Sequence, residues 1–96
     1  MKPSIDYDAV TAAFAHVLGE LRAARGSKQD DFARSLGMDP SYYRGLESAV
    51  YAPSLFYLLK IAAALECAPD QLVAATRERL AVLSLEAQGS GTLPRA

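Results

Sequence analysis

The chain has 96 residues, 51% of them apolar, and a formal net charge of −1 at neutral pH. That length makes one domain able to fold alone, and that apolar share builds a core, which excludes a globally disordered chain. Near-zero charge excludes attachment to DNA or membrane by bulk charge, and a single cysteine, Cys67, excludes a disulfide framework and a cysteine-based zinc cluster.

Eighteen alanines and thirteen leucines, against ten Val, Ile and Thr together, favour helices over a β-sandwich or barrel. No apolar run approaches the ~20 residues of a membrane span, and acidic residues follow Met1-Lys2-Pro3 where a signal peptide would carry its apolar segment. A cytoplasmic protein with no membrane attachment is expected.

Residues 1–8 read as a lead in which Asp6 or Asp8 caps the first helix. Val10, Phe14, Val17, Leu18 and Leu21 recur at three- and four-residue steps, one face of a helix reaching Ala24 and ended by Gly26. Ser27-Lys28-Gln29-Asp30 reads as a capping box with Ser27 as the cap, opening a short second helix through Leu36. Gly37 stops it. Asp39-Pro40 restarts the chain as a third helix to about Ser48, an acidic cap followed by Pro where its missing N–H is not needed. After the loop Ala49 to Pro53, Ser54 caps a fourth helix whose stripe is Leu55, Leu58, Leu59, Ala62 and Leu65. Glu66 to Asp70 is a connector, and Asp70-Gln71-Leu72-Val73 begins a fifth helix.

Val73, Thr76, Leu80, Leu83 and Ala87 then step by three and four as an a/d-like seam. The seam either packs back on the first helix or joins two copies. The second is favoured, because the core closes near Leu72, and Val10 and Phe14 could add to it. The expected organisation is a domain over 9–75, a helical extension over 76–88 as a sixth helix and possible dimer seam, and a disordered tail over 89–96.

Two short helices joined by a tight turn with Gly describe a helix-turn-helix. Residues Leu18 to about Leu72 resemble the phage-repressor, Cro-like (XRE-type) family. Leu21-Arg22 and Gly26 match the end of its first helix, and Gln29, Asp30, Asp31, Phe32 and Ala33 its second. Leu36-Gly37-Met38 matches its turn, Ser41-Tyr42 the start of its recognition helix, and Glu47 the end. Pro53-Ser54-Leu55 with Ile61-Ala62-Ala64-Leu65 matches the fourth helix. The resemblance implies an all-α, five-helix repressor-like helix-turn-helix domain, here with an extra C-terminal helix. It also implies an Arg22–Glu47 ion pair tying the first helix to the third.

Met38, Tyr43 and Leu46 fall on one face of the third helix, toward Phe32, Leu36, Leu58 and Ile61. Pro40, Ser41, Arg44 and Gly45 are left outward, the face that enters the major groove in this family. Expected base readers are Ser41, Tyr42 and Arg44, with Pro40 and Gly45 occupying two further reading positions. Arg44 alone carries the bidentate guanine code. Lys28, Gln29, Ser54 and Arg25 are expected at phosphates, through charge or helix N-termini. From Arg25 to Lys60 the net charge is only +1, modest for one copy.

Several features depart from the family. Lys28 stands where Ser or Thr normally caps, and the loop after Glu47 lacks its usual Gly and basic residues. Val50 and Tyr51 there form either a plain loop or an interaction surface. His16 reads as a solvated surface residue and Cys67 as a small apolar filler. No catalytic constellation, metal site or cofactor motif is present, so the chain is not expected to be an enzyme. The expected function is double-stranded DNA binding as a homodimeric transcription regulator, a repressor acting at inverted-repeat half-sites. The alternative is a helix-turn-helix scaffold turned to a protein partner, as in an antitoxin.

Overall fold

The computed structural model describes residues 5–92, with side chains as far as Glu86. Five helices follow one another: α1 (Tyr7–Ala24), α2 (Gln29–Ser35), α3 (Pro40–Glu47), α4 (Leu55–Ala64) and α5 (Pro69–Thr92), with no strand among the described residues. No helix among them is long and apolar enough to cross a membrane.

The helix starts follow local chemistry. Asp6 caps α1 by accepting from the Ala9 N–H at 2.8 Å, Asp39 caps α3 from Tyr42 at 3.1 Å, and Ser54 caps α4 from Tyr57 at 3.1 Å. At α5, Pro69 opens the helix and Gln71 reaches back to the Ala68 N–H. The start of α2 differs from the sequence reading. Its first helical bond runs from the Phe32 N–H to the Lys28 carbonyl, so Lys28 is the N-cap and has no side-chain cap bond. Ser27 lies one residue too early to cap, and its carbonyl instead accepts from Arg22 Nη1 at 2.6 Å.

The helix ends are also local. Gly26 and Gly37 take φ of 75° and 69°, and the backbone bonds around them close the last turns of α1 and α2. α3 and α4 end on the same left-handed turn, but with Ala49 (φ 65°) and Glu66 (φ 57°) in the position that favours glycine. α5 is one continuous helix, so no separate sixth helix forms, and it runs beyond the tail boundary expected at residue 89. No proline interrupts it after Pro69, and isolated glycines weaken a helix without ending it. Residues 93–96 of the expected tail, and Met1 to Ser4 of the lead, lie outside the described residues.

The core gathers Phe14, Leu18, Phe32, Tyr43, Leu46 and Ile61, with Leu72 completing it from α5. Phe32 and Tyr43 meet edge to face at 5.5 Å, which sets α2 against α3. α5 packs along α1, and Leu80 is only 3% exposed. Of the expected seam, Leu80 is turned inward, lining an apolar groove of about 360 Å³ with Val10, Phe14, Leu58 and Val73. Val73 remains exposed, and Thr76 and Leu83 are half-buried.

α4 (LFYLLKIAAA) is apolar almost all round. Ile61 and Ala62 face the core, yet Leu55, Phe56 and Leu59 on the other side are 72%, 63% and 47% exposed.

Candidate nucleic-acid interface

The orientation of α3 is set by one carboxylate. Glu47, at its last turn, accepts from Arg22 Nε at 2.6 Å and Nη2 at 3.0 Å, from Gln29 Nε2 at 2.9 Å and from the Tyr43 hydroxyl at 2.5 Å. Arg22 also reaches the α1–α2 turn, so one guanidinium joins α1, the turn and α3. The two side chains are 17% and 7% exposed. Burial pushes the Glu47 carboxyl up, but hydrogen bonds from Arg22, Tyr43 and Gln29 outweigh it and hold the group below its ordinary range. The bond to Glu47 pushes Arg22 up in turn, while burial and the same carboxylate push the Tyr43 hydroxyl up. All three groups keep their usual charge states at neutral pH. Their role is orientation.

That scaffold leaves Ser41 and Arg44 exposed on α3. Arg44 donates to Asp30 on α2 at 2.5 Å and approaches the Ser41 hydroxyl at 3.5 Å. Its guanidinium is therefore held at the α2–α3 junction. Pro40 is half-buried at the first position of α3. Tyr42 is half-buried too, its ring stacked on Tyr51 at 5.0 Å and tilted against Tyr57 at 5.7 Å.

Gly45 does not lie open on the outward face as the sequence reading placed it. It is buried, because the Tyr51 ring sits over it. A Cβ built on Gly45 would overlap Tyr51 Cδ2 and lie 2.5 Å from Cε2. No local sequence signal announces this contact, since it depends on how the loop after α3 folds back.

The phosphate candidates are scattered in role. Lys28 is exposed at the start of α2, and Ser54 is exposed but engaged as the α4 cap. Gln29 is drawn into the Glu47 cluster. Arg25 donates to the Leu65 carbonyl at 3.3 Å and to Glu66 at 3.4 Å, which ties it to the end of α4. Sequence reasoning missed the Tyr43–Glu47 and Gln29–Glu47 bonds. The first was visible in principle as an i, i+4 pair on one helix.

Elsewhere, His16 pairs with Glu20 at 3.1 Å on exposed α1 surface, and Cys67 packs half-buried against the core. Among the described residues no group of three or more His, Cys, Asp or Glu side chains forms a metal site.

The sequence profile of the helix-turn-helix family matches residues 18–72, more than half of the chain. This protein belongs to the helix-turn-helix family. Its matched segment spans α2, α3, α4 and the parts of α1 and α5 that hold them. The helix-turn-helix chain is similar to the restriction-modification controller protein C.AhdI from Aeromonas hydrophila. The two are 39% identical over 65% of this chain and 94% of that one, with a TM-score of 0.62. It is also similar to the hypothetical transcription factor NHTF from Neisseria, at 30% identity over 85% of this chain and 97% of that one, with a TM-score of 0.67. No curated protein matches it. The helix-turn-helix protein is a DNA-binding domain of the transcription-regulator type.

Proposed function

We propose that this protein is a homodimeric, sequence-specific regulator, a repressor that acts by occupying its operator. The observation that carries the reading is the Glu47 cluster, which fixes α3 against α1 and α2 while Ser41 and Arg44 stay exposed along the helix. Such a helix fits the major groove, with Arg44 reading a guanine and Lys28 meeting phosphate. A cytoplasmic location accords with that role.

One short helix with few readers does not reach the ~10⁻⁸ M or tighter affinity typical of specific regulators, so two copies are needed. Two copies related by a two-fold axis bind inverted repeats centred ~34–36 Å apart. The exposed side of α4 is the face that supports pairing. A helix apolar all round is normally covered all round, yet Leu55, Phe56 and Leu59 stay largely exposed to the other described residues. Leu80 does not contribute.

Selection of bound duplexes from a random pool tests the reading directly. The expected product is an inverted repeat whose affinity falls steeply as salt rises. A pool that yields no enriched sequence, from a protein that instead pairs with another polypeptide, would replace regulation with the protein-interaction reading.

A further inference from the structure

Position 45 of α3 carries no side chain, yet the space beside it is filled. The chain leaves α3 through Ala49 in the left-handed conformation, and the N–H groups of Val50 and Tyr51 both donate to the Gly45 carbonyl, at 2.8 and 3.2 Å. This folds the loop back and lays the Tyr51 ring over Gly45, where any Cβ would collide with it. Tyr42 stacks on the ring at 5.0 Å with 25° between planes, and Tyr57 braces Tyr42 in turn. Tyr51 nevertheless remains 43% exposed. An aromatic ring held against a helix backbone and a stacked neighbouring ring loses little freedom on contact with a partner.

We propose that Tyr51 supplies, from the loop, the base-reading group that Gly45 lacks, and that its ring edge reads the 5-methyl group of a thymine. The inference rests on the DNA-binding function proposed above and adds a specificity-determining residue to it. By helical spacing Gly45 borders the Ser41–Arg44 row, so the ring extends the same exposed surface on the side away from Asp30. What the ring offers there is apolar carbon. Among the groups that base pairs present in the major groove, the thymine methyl is the apolar one. Reading is then divided: Arg44 takes a hydrogen-bonding edge and Tyr51 a methyl.

The test uses the full chain and a duplex selected by it, with each thymine replaced in turn by uracil, which removes only the methyl. Fluorescence anisotropy should show affinity falling about fourfold at one or two positions of each half-site, the worth of one buried methyl. Tyr51→Ala should bind thymine and uracil duplexes alike, whereas Tyr51→Phe should keep the difference. Gly45→Ala should expel the ring and behave as Tyr51→Ala, with helical circular dichroism recording that each variant is folded. The proposal is overturned if the natural chain is indifferent to uracil at every position, or if Tyr51→Ala retains the difference. It is equally overturned if Tyr51→Ala weakens all duplexes alike, which would make Tyr51 a phosphate contact. Failure of the natural chain to select any sequence would instead overturn the sequence-specific reading proposed above, and the two failures are told apart by the selection alone.

Discussion

Glu47 accepts four hydrogen bonds from Arg22, Gln29 and Tyr43, and removing its carboxylate strands a guanidinium and a phenol in a largely buried site. Breaking such a pair costs ~3–5 kcal/mol, a large share of the ~5–15 kcal/mol that holds a domain together. Glu47→Ala should therefore lower the melting temperature by ~4–8 °C for each of those kcal/mol, and any loss of DNA binding should track the unfolded fraction. A variant as stable as the natural protein yet unable to bind would place Glu47 at the interface. The same carboxyl gives a pH dependence. Its folded value lies below the ordinary 4.5, so its stabilisation is complete above that pH and drains away as pH falls through it toward the folded value. In urea titrations below about pH 5, the natural chain should lose stability more steeply than Glu47→Gln. Arg44 poses a competition instead. Asp30 holds the guanidinium that should read DNA, but the pair is half exposed and worth only ~0.2–1 kcal/mol. Asp30→Asn should tighten binding to the selected operator up to about fivefold, by freeing Arg44 and removing a charge that repels phosphate. Arg44→Ala should cost ~1–3 kcal/mol at one base pair of each half-site. Unchanged preference in that variant would remove Arg44 from the readers.

At the scale of elements, the helix boundaries were largely written in neighbouring residues. Asp6, Asp39 and Ser54 bond to N–H groups three residues on, and Gly26 and Gly37 permit their own turns, so each signal acts within a few positions of itself. Where the sequence misled, the deciding partner was distant or off by one. Ser27 looked like a cap, but the chain's register made Lys28 the first half-helical residue. Leu80 followed a seam-like spacing, yet α1 was there to receive it. Gly45 belonged to the outward face by periodicity, and only the folded-back loop reveals the ring above it. Of the candidate site, the exposure of Arg44 was legible from helix spacing once α3 is placed, and the Arg22–Glu47 anchor only through the resemblance to the repressor-like family, because that pair spans two helices. The engagement of Gln29 and Arg25 was not, because each reaches a partner on another element. The end of α3 offers a stability test. Ala49 sits at φ 65°, where a Cβ is strained by ~1–2 kcal/mol. Ala49→Gly should recover about 1 kcal/mol, less the entropy a glycine gains in the unfolded chain. A lower urea midpoint for this variant would show that the turn is relaxed as it stands.

For the whole molecule, α4 is the element that one chain leaves unfinished. Replacing Leu55 and Leu59 with Lys should leave a folded monomer, because neither side chain enters the core, and operator binding should collapse with dimerisation. Sedimentation of the natural chain at tens of micromolar should show a dimer, and a monomer there would return α4 to ordinary surface. The uncovered side of α4 also shapes how a cell would experience this regulator. If the DNA-competent species forms only when two chains bury that face, its amount grows with the square of chain concentration wherever monomers dominate. Halving synthesis would then quarter the bound fraction of a sparsely occupied operator, and a modest rise would fill it abruptly. A greasy helix side would thus set the sharpness of a genetic threshold, independently of which bases α3 reads.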